Sequence, residues 1–403
     1  MFKRRLSFVA LLAAFALVVV ACGDDDTGDT TATTAAATTT TASADPTTTT
    51  TAAPATTAPA ETTAPPATDA PPQAILGCQV SDVAGIDDKS FNETAWKGME
   101  QAEAEIGAET AFLESQDATD YRPNIDAFIA QGCDVIITVG FLLADDTAAA
   151  AKDNPDQPFG IIDFPVGPFA PWQNEGEESF PLNVRGITFS TNEAAFLAGY
   201  LAAGVSESGV IGTFGGINIP PVTVFMDGFM RGAAHYDEVN GTATTVLGWD
   251  GADGLFTGNF ESLEDGRAFA VNLMDEGADV ILPVAGPVGL GSGAAIQEAN
   301  AAGANVMLIG VDADMFLSAP ELGDILLTSI QKNMDIAVFN TMNNIATLGS
   351  LGNQYNGTLA NGGVGLAPFH DLEGSVPAEL AAELAALEAD IISGDVSTTP
   401  PEE

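Results

Sequence analysis

From residue 75 onward the chain alternates short apolar runs with longer amphipathic segments, and this alternation limits the available folds more than any other feature. Ile75–Val80, Thr110–Glu114, Asp134–Val139, Phe159–Asp163 and Arg185–Phe189 read as strands. So do Val210–Phe214, Ala243–Gly248, Asp279–Val284, Val306–Val311 and Ile325–Ser329. Helical periodicity falls between them, from Ser90 onward and over Pro123–Gln131, Ala144–Lys152, Asn192–Gly204, Val222–Tyr236, Glu261–Glu276, Gly291–Ala301, Met334–Leu348 and Pro377–Ser393. Several strands are apolar at every position, as expected when helices cover both faces of a parallel sheet. The pattern predicts a doubly wound α/β architecture. The number of strands predicts two such sheets, hence two lobes with a cleft between them.

The segment ahead of this region has a different character. Lys3, Arg4 and Arg5 precede an apolar stretch, Leu6 to Ala21, too short for a comfortable membrane span and suited to a secretory signal at 1–21. Small residues before Cys22 resemble a bacterial lipobox, with Val19 in place of the usual leucine. That resemblance implies cleavage before Cys22 and a lipid on its sulfur, placing the protein outside the cytoplasm and anchored to the cell membrane. Thr27 to Ala74 is almost wholly Thr, Ala and Pro. It cannot bury enough apolar surface to offset chain entropy, so residues 22–74 are expected to form a disordered tether. A flexible chain of that length has an r.m.s. span of about 40 Å.

Charge narrows the partners. Seven of the 56 acidic residues and three of the 11 basic ones precede residue 75, leaving 49 acids against 8 Lys or Arg, a formal charge near −41. Such a surface repels nucleic acid and anionic membrane. Cys78 and Cys133 are both placed on predicted strands, which favours buried free thiols at least as much as a disulfide and leaves the question open.

One loop stands out chemically. Asp82 to Trp96 reads D-V-A-G-I-D-D-K-S-F-N-E-T-A-W and joins the first strand to the first helix. Ser90 followed by Glu93 has the spacing of a capping box, so the helix is expected to begin at Ser90. Phe91 and Asn92 then occupy its first turn, at the C-terminal end of a strand, where ligands bind in open α/β sheets. Taken singly, each residue has a plainer reading. Phe91 could pack beneath the helix, Asn92 could be solvated, and Asp87 and Asp88 suit a turn and a helix N-terminus.

Further phrases extend the picture: V-G-F-L-L-A-D at 139–145, I-I-D at 161–163, F-x-x-G-F at 225–229 and A-D-V-I-L-P-V-A-G at 278–286. I-G-V-D-A-D at 309–314, S-I-Q-K-N at 329–333, G-G-V-G-L-A-P-F at 362–369 and I-I-S-G-D at 391–395 follow. With D-D-K-S-F-N at 87–92, their order and spacing resemble the BMP (basic membrane protein) family of ABC-transporter substrate-binding lipoproteins, which includes purine-nucleoside receptors. The likeness runs from about Gln79 to Gly394.

The resemblance implies a type I periplasmic-binding-protein fold over 75–398, two lobes joined by three crossing segments. It puts the crossings near Gly186–Ser190, Val311–Asp314 and Ile330–Asn333. Lobe 1 would then be 75–188 plus 314–331, and lobe 2 would be 189–312 plus 333–398. It further implies capture of a purine nucleoside and delivery to ABC permease subunits, with no cofactor and no metal. Carried across by position, Asp82, Phe91 and Asn92 form the first site segment and Asp163 contacts the base, with Asp145 as its competitor. Asp312 and Lys332 hold the ribose, Gly286 lets the backbone approach, and Phe225 is the second stacking ring. The stretch Val166–Asn183 departs from the family's compact loop and is expected to shape the cleft entrance.

Other functions remain to be weighed. His235 and His370 are far apart, and no H-E-x-x-H, P-loop or nucleophile elbow occurs, so an enzyme has little support. Gly286, Gly289, Gly291 and Gly293 do not have dinucleotide-binding spacing. A receptor for a flavin, a sugar or a signalling ligand shares the fold, and an adhesin is suggested only by the tether.

Overall fold

The computed structural model describes residues 73–399. The expected signal segment, Cys22 and nearly all of the tether lie outside the described residues. Strands β1 (Leu76–Val80), β2 (Glu109–Leu113), β3 (Val135–Val139), β4 (Phe159–Ile162) and β5 (Val184–Phe189) build one sheet. Strands β6 (Val210–Gly215), β7 (Thr245–Leu247), β8 (Val280–Val284), β9 (Met307–Asp312) and β10 (Leu326–Lys332) build another. Two short edge strands, β11 (Tyr355–Gly357) and β12 (Val364–Leu366), complete them.

The sheets repeat one plan. Their strand orders are β11-β5-β4-β3-β1-β2 and β12-β10-β9-β8-β6-β7, so each strand of the first has a counterpart in the second. All pairings are parallel except β10 with β12. The helices are α1 (Phe91–Ile106), α2 (Tyr121–Gln131), α3 (Ala144–Asp153), α4 (Thr191–Val205), α5 (Pro220–Asn240), α6 (Leu263–Asp275), α7 (Val288–Ala301), α8 (Met315–Ser318), α9 (Met334–Leu348) and α10 (Ala378–Ser393).

Both faces of each sheet are covered, which explains why strands such as Val135–Val139 are buried at every position. Met99 of α1 packs with Val338 and Met342 of α9 on one face of the first sheet. Tyr121, Ile125 and Ala148, from α2 and α3, cover the other. In the second lobe α4, α5 and α10 share one core, while α6, α7 and α8 share another. Glycine sets the closest helix crossing. A Cβ on Gly199 of α4 would lie 1.9 Å from the Phe229 carbonyl oxygen of α5, and one on Gly232 would lie 1.9 Å from that of Phe196.

The expected lobe division needs correction. Strand β10 belongs to the second sheet and α9 to the first lobe's core, so 314–331 is part of lobe 2 and 334–348 part of lobe 1. The chain changes lobe after β5, after β10 and between β11 and β12. The crossing expected at Val311–Asp314 is instead an ordinary link between neighbouring strands β9 and β10 of one sheet. The sequence pattern obscured this because β11 and β12, three residues each, carry no readable periodicity.

The question left open by the two later cysteines is answered by a disulfide between Cys78 and Cys133, with Cα atoms 6.1 Å apart. Cys78 lies in β1, whereas Cys133 precedes β3 rather than lying on a strand. Closing a loop with a 55-residue separation contributes about 4 kcal/mol in the chain-entropy view.

Candidate functional site

A cavity between the lobes is lined by the segments that follow β1, β3, β4, β8, β9 and β10, all at C-terminal strand ends, together with the start of α5. Lobe 1 supplies Asp82, Asp88, Phe91, Asn92, Gly140, Phe141, Leu142 and Asp163. Lobe 2 supplies Ile219, Pro221, Val222, Phe225, Phe260, Val284 to Pro287, Val311, Asp312 and Lys332. Every site residue carried over from the family pattern therefore reaches this one cavity. Asp163 does so and its competitor Asp145, in the first turn of α3, does not.

The β1–α1 loop is built differently from the capping box its sequence suggests. Helix α1 starts after Ser90 as expected, but the Ser90 side chain makes no cap bond. Asp88 takes that place. Its carboxylate accepts from the backbone N–H groups of Ser90 at 3.0 Å, Asn92 at 2.9 Å and Glu93 at 3.1 Å. Three spacings fit three donors, and a carboxylate at a helix N-terminus is favoured by the dipole. Asn92 then donates its side-chain amide to Asp82 Oδ1 at 2.7 Å and to Asp88 Oδ2 at 3.2 Å. Its own Oδ1 is buried without a hydrogen-bond partner, in a residue that lines the cavity. Gly140 keeps this corner open: its φ is +117°, and a Cβ there would stand 3.2 Å from Asp82 Oδ2. A Cβ on Gly286 would meet only open space.

Burial dominates the electrostatics. It pushes the carboxyls of Asp82, Asp88 and Asp312 up to about 6 each, against the lowering effect of their hydrogen bonds or, for Asp312, of the nearby Lys332 ammonium. Lys332 is itself 2% exposed. Its Nζ donates to Asp163 Oδ2 at 2.6 Å and Oδ1 at 2.8 Å, and stands 3.9 Å from Asp312 Oδ1. The expected Asp312–Lys332 pair is thus the looser of two. The ammonium also lies 4.7 Å from the Phe91 ring centroid, 5.3 Å from Phe189 and 5.9 Å from Phe225, within cation–π reach of all three.

Asp163 and Asp312 are structural counterparts. Each stands at the C-terminal end of the equivalent strand in its lobe, β4 or β9, and each has left-handed backbone, with φ of +68° and +67°. A non-glycine residue in that region costs of order 1–3 kcal/mol, and such strain gathers at functional sites. From these positions Asp163 bonds the Lys332 ammonium directly, and Asp312 stands at its edge.

Sequence reasoning passed over several lining residues. Phe141 and Leu142 follow β3 just as Phe91 follows β1, and the strand-end rule alone would have found them. Phe260 lies in a loop before α6 that carries no such signal. None of Val166 to Asn183 lines the cavity. That segment acts at one remove: Trp172 is fully buried, donates from Nε1 to the Pro165 carbonyl at 2.7 Å and meets the Phe164 ring edge-on. Phe164 in turn packs at 4.8 Å on Phe141.

The family model of "ABC transporter substrate-binding protein PnrA-like", called Bmp, matches residues 76–399, which is the whole described fold. The chain belongs to this family. Among Bmp relatives, "Basic membrane protein A" of Borreliella burgdorferi is 32% identical over 268 residues, 65% of this chain and 71% of that protein. The "ABC transporter nucleoside-binding protein BmpA" of Lactococcus lactis is 31% identical over 242 residues, 58% of this chain and 63% of that protein. A solved ABC-transporter solute-binding protein from Aeropyrum pernix superposes with a TM-score of 0.71 at 24% identity, over 82% of this chain and 94% of the other. The fold is that of type I periplasmic binding proteins. Bmp proteins bind a solute rather than transform it, and membership implies a small-molecule ligand and permease partners. Among the described residues no helix is long and apolar enough to cross a membrane.

Proposed function

We propose that this protein is a lipid-anchored, extracytoplasmic receptor that captures a purine nucleoside in the inter-lobe cavity and presents it to an ABC permease. The observation that carries the reading is the combination, in one cavity, of two phenylalanine rings from opposite lobes with a polar edge of Asp82, Asn92 and Asp88 and a separate Asp163–Lys332–Asp312 group. A base stacked on Phe91 and Phe225 gains about 1–3 kcal/mol. Asn92 Oδ1 and the Asp82 carboxylate accept from ring N–H or amino groups. A ribose cis-diol donates to Asp312, and Lys332 donates back to a sugar oxygen. Asp163, matched to the base by family pattern, is tied here to Lys332 and so joins the sugar end in this reading. The relative named for nucleoside binding supports the ligand class. The disulfide suits an oxidising compartment, and the Cys22 context supports the anchor.

The test is isothermal titration of the chain, unfolded and refolded to remove carried ligand, with nucleosides, free bases, ribose and riboflavin. Submicromolar nucleoside binding is expected, with bases and ribose far weaker. Phe91→Ala and Lys332→Met are each expected to weaken it at least tenfold, about 1.4 kcal/mol. A well-folded sample indifferent to nucleosides would discard the ligand, and unchanged affinity in both variants would discard the site.

A further inference from the structure

The hydroxyl that α1 does not use for its own cap is the starting point. Ser90 is 1% exposed and stands in lobe 1, yet its Oγ lies 3.1 Å from Asp312 Oδ2 and 3.2 Å from the Val311 carbonyl oxygen, both in lobe 2. The neighbouring residue repeats the theme. Ser318 Oγ of lobe 2 donates to the Lys89 carbonyl oxygen at 2.6 Å. Two consecutive residues of one lobe are therefore held by two segments of the other. Lys89 and Asp312, one on each side, both have left-handed backbone, with φ of +59° and +67°.

We propose that Lys89–Ser90 and Val311–Ser318 form a cross-cleft clasp that holds the lobes closed, with Ser90 the residue that positions the Asp312 carboxylate for ligand. The chain's division of labour supports this. Asp88 satisfies the first-turn N–H groups of α1, which frees Ser90 to reach across. Burial and the neighbouring Asp163 and Asp88 carboxylates disfavour ionised Asp312, and the Ser90 hydroxyl joins the Lys332 ammonium in opposing them. The clasp grips the residues immediately before Phe91 and Asn92, so closing the lobes also sets the ring and the amide that line the cavity. Opening requires breaking the buried hydrogen bond of the Ser90 hydroxyl, shared between Asp312 and the Val311 carbonyl, and the exposed one from Ser318, and such bonds govern departure of a ligand more than its arrival. The role of Asp312 toward a sugar hydroxyl rests on the nucleoside reading; the clasp itself does not.

The experiment uses the full chain in four forms: unchanged, Ser90→Ala, Ser90→Thr and Ser318→Ala. Stopped-flow displacement of a bound nucleoside gives dissociation rates, and hydrogen exchange without ligand reports the amides of Lys89, Ser90 and Val311 to Ala313. Ser90→Ala is expected to raise the dissociation rate at least tenfold, with the association rate changed less than threefold. Ser90→Thr should restore most of the loss, because it keeps the hydroxyl. Ser318→Ala, which removes an exposed hydrogen bond, is expected to speed exchange at Lys89 and Ser90 in the ligand-free chain without lowering the melting temperature. Equal dissociation rates in unchanged and Ser90→Ala protein, with equal exchange in Ser318→Ala, would overturn the clasp. If the unchanged chain binds no nucleoside, the functional reading fails, and the exchange data alone decide the clasp.

Discussion

At the scale of single residues the cavity is an arrangement of carboxylates kept out of water. Asp82, Asp88 and Asp312 each titrate near 6 in the folded chain, raised by burial from an ordinary 3.8. The folded state therefore holds more protons than the unfolded one between about pH 4 and 6, and stability falls as pH rises through that window. The cost is complete above the folded values and absent below the unfolded ones. A ligand-free sample is expected to melt at higher temperature at pH 5 than at pH 7, and Asp82→Asn should lose part of that gain. A variant with the full pH dependence would show that Asp82 is ionised without penalty. Nucleoside affinity should move the opposite way, weakening below pH 6 as acceptors become protonated. Phe91, Asn92, Asp312 and Lys332 were legible in sequence because short motifs marked their positions and strand ends explain them. The Asp163–Lys332 contact was not, because it joins residues 169 apart through the relation of two lobes. Nor was the role of Ser90, since S-x-x-E spacing says nothing of an aspartate two residues earlier that competes for the same N–H groups.

At the scale of elements, the sequence pattern located β1 to β10, several to within a residue, because most of these strands are buried on both faces and leave an unbroken signal. The same argument fails for β11 and β12, whose edge positions and length need no apolar run. Losing them misplaced β10 and α9, since the lobe to which a strand belongs is set by its sheet partners. Helix contacts were equally hidden. The crossing of α4 and α5 depends on Gly199 and Gly232, where an added methyl would overlap a carbonyl oxygen of the other helix. Gly199→Ala must push the helices apart within a shared core, and overpacking of that kind costs typically 1–3 kcal/mol. A lowered denaturant midpoint with an unchanged slope is expected, while the first lobe's exchange pattern stays as it was. A neutral result would mean that the two helices separate freely, which the buried Phe196, Phe229 and Met226 around them argue against.

At the scale of the whole molecule, a formal charge near −41 after residue 74 is spread over a surface with few cations to answer it. Most of the described ion pairs are exposed, such as Arg122 with Asp153 and Lys97 with Glu93, and pairs of that kind contribute about 0–1 kcal/mol. Net repulsion therefore opposes the compact state over distances comparable with the screening length, which shrinks from about 30 Å at 0.01 M salt to about 3 Å at 1 M. The buried Lys332–Asp163 pair lies beyond the reach of that screening, so salt separates the two kinds of electrostatics. The melting temperature is expected to climb from low to molar sodium chloride, with most of the rise below about 0.2 M, where the screening length changes fastest. Nucleoside affinity, set by buried groups and an uncharged ligand, should change little over the same range. A flat melting curve would mean that the acids are too dispersed to repel, and the acidity would then need a local cause. A steep loss of affinity with salt would instead place a long-range charge interaction in ligand capture, which a neutral nucleoside does not provide.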